Sequence, residues 1–251
     1  MVNNYELELL YEGKAKRVYK YNNYKLLIEF KDDVTAFNGL KKNNIINKGK
    51  INKQISSHFF ELLNKKGINT HFVRDYDDKS FIAKWTNLIP LEVIVRNYAA
   101  GSFCKRYGVK KGYKFEFPLV EFSLKNDELG DPMITSEAIL LLKLTSEEIL
   151  HEIISISKNV NEILSRYLAE VGIILVDFKL EFGLSKEDNQ LLLIDEISPD
   201  TCRFWDAHTM ESFDKDVYRE DKGDLITAYT EILGRLKIWK KTRQIKNLFL
   251  R

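Results

Sequence analysis

The sequence has little cysteine: two residues in 251, Cys104 and Cys202, far apart and neither in a CxxC pair. That excludes a disulfide framework and the usual zinc spacing, and it fits a reducing compartment. An excess of one charge is also missing. The formal net charge is +2, so overall charge gives no argument for a nucleic-acid or membrane partner. No apolar run approaches the ~20 residues of a membrane span, and residues 1–8 lack the basic-then-apolar order of a signal peptide. Internal repeats and low-complexity linkers are absent too. What is there is an ordinary globular balance, 44% hydrophobic and 30% charged, in a length that suits one large domain or two modest ones. The expectation is a cytoplasmic protein that binds neither nucleic acid nor membrane.

The chain is organised around residues 173–206. Read with period two, Ile174, Val176, Phe178, Leu180 and Phe182 fall on one face of a strand, and Asp177, Lys179 and Glu181 on the other. A carboxylate, an ammonium and a second carboxylate then stand in a row, about 7 Å apart. Residues 183–189 have turn chemistry, and a second strand over 190–197 would bring Asp195 or Glu196 beside the row. A lysine among three or four carboxylates suits magnesium, a hard ion that takes oxygen ligands and leaves positions for ATP phosphates. A solvated strand face with a cross-strand ion pair gives the same alternation. Two adjacent strands with the pattern, followed by Ser198-Pro199-Asp200 and Arg203, favour a site.

Before that stretch, the first 85 residues read mostly as antiparallel strands: 7–11, 18–21, 24–30, 70–74 and 80–85. Gly13 between the first two lets the backbone approach a phosphate, with Lys14 and Lys16 as charges. An exposed hairpin turn reads the same way, and the motif is not a P-loop. Residues 32–48 are polar, with a turn at Asn38-Gly39. Helical spacing follows over 48–66, where Ile51, Ile55, Phe59, Leu62 and Leu63 share a face and Gly67 stops it. Such a layer can clamp a base against the rest of the chain, with Lys84 a candidate for the crevice.

Residues 88–102 are the second informative stretch. An apolar strand ends at Arg96, and Ala99-Ala100-Gly101-Ser102 turns the chain tightly. A guanidinium, a hydroxyl and backbone N–H groups together make an anion cradle, strengthened if Ser102 caps the next helix. A plain strand–turn–helix junction also fits. The basic, tyrosine-bearing segment 103–114 is too short for a nucleic-acid surface. Lys125 opens a loop that can line a pocket. Thr145-Ser146-Glu147-Glu148 reads as a capping box before a helix with Ile149, Ile153, Ile156, Val160, Ile163, Leu164 and Tyr167 inward. A last helix over 225–239 precedes a basic end, 240–251, read as a tail or as more helix.

These blocks together resemble the SAICAR synthetase family of purine biosynthesis. The resemblance runs from Leu10 to about Tyr229. Tyr11-Glu12-Gly13-Lys14-Ala15-Lys16-Arg17-Val18-Tyr19 is similar to the family's phosphate-covering loop. Residues 89–96 through Gly101-Ser102, and residues 176–183, are similar to its two signatures. Asp195-Glu196-Ile197-Ser198-Pro199-Asp200, Arg203-Phe204-Trp205-Asp206 and Asp214-Lys215-Asp216 with Arg219 match further blocks. Asn38 stands where some members carry Asp.

What the resemblance implies is an ATP-dependent ligase. It would join the carboxylate of carboxyaminoimidazole ribonucleotide (CAIR) to the amine of L-aspartate, giving SAICAR, ADP and phosphate through an acyl phosphate. The implied fold is α+β: an antiparallel N-terminal sheet layer (residues 1–87), resembling the kinase small lobe, on a larger α/β catalytic part (residues 88–251). Gly13, Lys14, Ala15, Lys16, Val18, Lys84 and Lys125 would bind ATP. Glu181 and Asp195 would hold Mg2+, and Lys179, flanked by Asp177 and Glu181, would act at the reacting carboxylate. Arg96, Ser102 and Arg203 would bind the ribonucleotide's phosphate, and Lys215, Asp216 and Arg219 the substrate carboxylates. Bacterial members are often dimers, which leaves a homodimer open. Two rivals are a kinase-like phosphotransferase and a nucleotide-binding module. The chain has no His-Arg-Asp loop and no Asp-Phe-Gly, and the intact charged row speaks against loss of chemistry.

Overall fold

The computed structural model describes residues 7–36 and 41–249, excepting the side chains of residues 36 and 238–249. Asn38 and its turn lie outside the described residues. The N-terminal sheet is built from β1 (Leu9–Glu12), β2 (Lys16–Lys20) and β3 (Lys25–Phe30). A separate hairpin follows, β4 (Asp33–Ala36) with β5 (Lys41–Asn44). Polarity hid it, because among its described side chains only Val34 is buried, too little to set an alternation. Helix α1 (Lys48–Lys65) comes next, then β6 (Phe72–Asp75) and β7 (Ser80–Lys84). The five strands are antiparallel in the order β1-β2-β3-β7-β6. One face of α1 is made by Ile51, Ile55, Phe59 and Leu63, all buried at four-residue spacing. It packs on β3, β6 and β7 from one side and on later helices from the other.

The second sheet begins one residue after β7. Its members are β8 (Thr86–Tyr98), β9 (Lys114–Leu124), β10 (Met133–Ile134), β11 (Ile173–Ser185), β12 (Leu191–Ile194) and β13 (Cys202–Asp206). The order is β10-β9-β8-β11-β12, and β13 also pairs with β11. Helix α2 (Gly101–Tyr107) follows β8; α3 (Ser136–Leu141) and α4 (Glu147–Ala169) precede β11. Short α5 (Asp216–Arg219) and long α6 (Leu225–Phe249) close the chain, so the basic end through residue 249 is helix. Buried Leu150, Ile153, Val160 and Leu164 seat α4 against β8, β9 and β11. The opposite face of that sheet is left for the charged row.

Three local readings are corrected. Along β11 the register shifts between Leu175 and Asp177, where two residues face one on β13. A bulge inverts the alternation. Ile173 and Leu175 therefore join Phe178, Leu180 and Phe182 in the main core, while Val176 packs with Ala100 and Trp205 in a separate cluster that Ile174 flanks. The single apolar face expected from residues 174–182 is thus two half-faces. Ser146, not Thr145, caps α4, accepting from Ile149 N at 3.3 Å; Glu148 then stands one position early for the reciprocal half of a capping box. Ser102 caps nothing. Ala100 is the N-cap of α2, because Gly101, at φ +52°, already turns the chain and places Ser102 inside the first turn.

Candidate active site

Antiparallel pairing of β8 with β11 sets Asp177 opposite Arg96 and Glu181 opposite Glu92. Side chains at alternate positions share a face, so Glu92 and Arg96 of β8 stand beside Asp177, Lys179 and Glu181 of β11. Lys179 Nζ donates to Glu92 and to Glu181, each at 2.7 Å, and lies 3.8 Å from Asp195. Lys125 donates to Glu181 at 2.8 Å. Lys16, reaching over from β2, pairs with Asp195 and lies 3.0 Å from Glu196. Asp195 follows β12 directly and has φ +68°, a left-handed turn that ends the strand and swings the carboxylate toward the lysines.

Electrostatics follow from that packing. Burial works against charge on Lys16 and Lys179, but Asp195 with Glu196, and Glu181 with Asp195 and Glu92, outweigh it and raise both ammonium pKa values. Against the same burial, Lys16 and Lys179 hold Asp195 well below the usual carboxylate range. Three lysines, Lys16, Lys125 and Lys179, thus interleave with four carboxylates, Glu92, Glu181, Asp195 and Glu196.

The row forms one wall of a cleft of about 590 Å³ between the two sheets. Gly13, Lys14 and Ala15 from the β1–β2 turn and Lys16 and Val18 from β2 line its other wall, with Leu26, Ile28 and Ile194 as apolar floor and Lys84, Thr86 and Leu88 at the junction of the sheets. Lys125, Lys179, Glu181, Asp195 and Lys215 line it too. Every residue expected to bind ATP or metal thus borders one space. Its shape, apolar at one end and ammonium-rich at the other, is what a nucleoside triphosphate presents in complement.

Arg96, Ser102, Arg203 and Arg219 gather at the other end of β11. Buried Arg96 donates through Nε to Glu121 at 2.6 Å and through Nη1 to Asp177 at 2.7 Å; its Nη2 is 3.4 Å from Ser102 Oγ. Arg203 donates through Nη1 to Asp177 at 2.9 Å and through Nε to Asp216 at 2.8 Å. Its Nη2 lies against Gly101, where a Cβ would collide with the guanidinium. Arg219 donates to the other oxygen of Asp216 at 2.7 Å. Lys215 is placed apart from this cluster, in the cleft wall beside Asp200 and Thr201, where burial lowers its pKa.

The sequence reading gave no role to three partners: Glu92, Glu121 and Lys48, which pairs in the interior with Asp200 at 2.5 Å. Glu92 could have been found, since Glu92-x-Ile94-x-Arg96 repeats the alternation of β11. Glu121 and Lys48 depend on which strands and helices meet, and no local pattern carries that.

Among the described residues, no group of three or more His, Cys, Asp and Glu side chains forms a ready-made metal cage. Comparison with known proteins agrees with the geometry. The SAICAR synthetase family pattern matches residues 9–236. A phosphoribosylaminoimidazole-succinocarboxamide synthase of Thermoanaerobacter sp. is 55% identical over 230 residues, covering 91% of this chain and 97% of that one. A solved structure described as SAICAR synthetase in complex with ADP is 52% identical with a TM-score of 0.88, covering 90% of this chain and 96% of the other. The corresponding synthase from Ehrlichia chaffeensis superposes with a TM-score of 0.90 at 44% identity, covering 92% and 98%. A match over nine-tenths of the chain, through every block that builds the cleft and the arginine cluster, settles the family: this chain belongs to the SAICAR synthetases.

Proposed function

We propose that the cleft joins the carboxylate of CAIR to the amine of L-aspartate at the expense of ATP, forming SAICAR, ADP and phosphate. The observation that carries this is Lys179, held at 2.7 Å from both Glu92 and Glu181, facing the lysine-bearing β1–β2 turn across the cleft. A carboxylate resists attack by an amine until it carries a leaving group. In our reading an oxygen of the CAIR carboxylate attacks the γ-phosphorus of ATP, and ADP leaves. The aspartate amine then attacks the acyl carbon, and inorganic phosphate leaves with the bonding pair. Lys14 and Lys16 hold the transferring phosphates, and Lys179 offsets the negative charge that gathers at the carboxylate. Arg96, Ser102 and Arg203 receive the ribonucleotide's phosphate. Lys215 and Arg219 are assigned to the carboxylates of the substrates.

The donor set fits magnesium. Glu181 and Asp195 offer hard oxygens beside the phosphate-binding lysines, and two carboxylates without a full cage suit an ion that keeps waters and phosphate oxygens as its other ligands. Bound there, it would neutralise charge on the transferring phosphoryl group. We place the reaction in the cytoplasm; no helix among the described residues is long and apolar enough to cross a membrane. We divide the chain after residue 87 into a nucleotide-clamping layer and a catalytic part; the second sheet starts just before that boundary, at Thr86.

The test is ADP release measured with ATP, Mg2+, CAIR and L-aspartate, each omitted in turn, with the amide product followed in parallel. ADP and product are expected together, and only with all four components. ADP formed without aspartate and without a trapped acyl phosphate would replace the ligase by a kinase.

A further inference from the structure

Asp214 is fully buried. Its carboxylate accepts two backbone N–H groups, from Phe204 on β13 at 2.9 Å and from Asp216 at 2.8 Å. The second bond pins the start of α5 to β13. Asp216, held there, divides its two oxygens between Arg203 and Arg219. Arg203 has one further direction fixed by Asp177, and the nitrogen left over faces the Gly101 turn. We propose that Asp214 is a positioning residue for ribonucleotide binding: it fixes Asp216, and through it the direction of the Arg203 and Arg219 guanidinium groups, without touching substrate. The inference rests on the reading of Arg203 as a ligand of the ribonucleotide's phosphate.

A planar guanidinium binds an oxyanion well only when its N–H vectors converge on it. Arg203 is anchored at Nε and Nη1, so its aim depends on where Asp216 stands. Phe213 and Lys215 stay held by the backbone oxygens of Phe204 and Pro199, so removing the bond from Asp216 N to Asp214 releases the Asp216 backbone alone, at the first residue of α5. Burial and the neighbouring Asp216 push Asp214 up to about 7, against the backbone donors and Arg203. The other charged or titratable groups around it are Lys222 after α5 and Tyr229 on α6. Once protonated, one of its oxygens carries hydrogen and no longer accepts. Below neutrality the wild-type side chain therefore presents what an asparagine would.

The experiment compares Asp214→Asn with wild type from pH 6 to pH 8.5, reading kcat and the KM of CAIR and of ATP. At pH 8 the CAIR KM of the variant is expected about tenfold higher, with the ATP KM unmoved. The ratio of the two CAIR KM values should fall toward one by pH 6. CAIR's own phosphate titrates near pH ~6 in both proteins and cancels in that ratio. Equal CAIR KM values at pH 8, a ratio constant with pH, or a parallel rise in ATP KM overturns the proposal. If Asp214→Asn fails to fold, Asp216→Asn takes its place: a CAIR KM raised alone supports the relay, and an unchanged one overturns it. Wild-type enzyme that does not turn over CAIR at all defeats the ligase reading instead.

Discussion

The two ends of β11 carry the same kind of group and treat it differently. Asp177 at one end meets guanidinium groups, Arg96 and Arg203. Glu181 at the other meets ammonium groups, Lys125 and Lys179. Each arginine continues to a second carboxylate, Glu121 or Asp216, so the arginine end is a linked net that fixes both guanidinium planes and leaves Arg203 Nη2 facing the Gly101 turn. The lysine end is a set of point charges, with Lys179 shared among Glu92, Glu181 and Asp195. Planar forks hold an anion that stays put; rotatable ammoniums can follow charge as it moves. In our reading the substrate's own phosphate sits at the first end, and a phosphoryl group is transferred at the second.

The largest effect should come from the lysine end. Lys179→Ala is expected to lower kcat by ~10²–10³, the range for losing one preorganised charge at a developing anion, with the ATP KM nearly unchanged. Steady-state kinetics at saturating CAIR and aspartate decide it, and unchanged turnover removes Lys179 from the mechanism. At the arginine end, Arg96→Ala should act on binding and on the fold together. It leaves Glu121 and Asp177 buried with a partner missing, a loss of about 3 kcal/mol in urea unfolding, and it should raise the CAIR KM while sparing the ATP KM. Equal effects on both KM values would erase the distinction between the two ends.

That distinction was partly legible in the sequence. The alternation Asp177-x-Lys179-x-Glu181 placed three charges on one face, and they are on one face. Arg96 and the small-residue turn after it pointed to an anion cradle, and Gly101 does lie against Arg203. Period-two reading failed at Leu175, because a bulge is a feature of pairing with β13 and leaves no mark on either strand alone. The β4–β5 hairpin failed for a related reason: among its described side chains only Val34 is buried, too short a pattern to mark two strands, so hydrogen bonding defines them. Glu181 and Asp195 stood out as carboxylates suited to a divalent ion, but their balance by Lys16 and Lys125 arises from residues 56 or more positions distant. Such contacts exist only once the two sheets face each other.

A pH experiment sharpens the comparison further. His71 lines the cleft at the lysine end, buried edge-on against Phe60 and Phe81. Burial, with Lys16 adding to it, lowers its pKa to about 3. The unfolded chain has a histidine near 6.5 and binds the proton first. The stability that neutral His71 allows is thus present above pH ~6.5 and drains away as pH falls toward the folded value. Between pH 7.5 and pH 5 the wild type should lose about 2 kcal/mol that His71→Gln does not lose. Urea melts at the two pH values measure it, and equal losses would mean that His71 is protonated in the folded cleft. Asp195, whose pKa is depressed, behaves in the same sense but in a lower window, below the unfolded value near pH ~3.9.

The smallest effect should come from the rim. Lys14 donates to Asp127 at 2.7 Å, as short as the bond between Lys179 and Glu181, yet both partners are mostly exposed, at 53% and 69%. Water screens that pair and competes for it, so Asp127→Ala should change unfolding free energy by less than about 0.5 kcal/mol. Its kinetic effect should be confined to the ATP KM, since Lys14 is left free to meet a phosphate. A loss as large as that of Arg96→Ala would mean that bond length, and not burial, sets what these pairs contribute, and the contrast drawn between the two ends of β11 would then have to be rebuilt on distances alone.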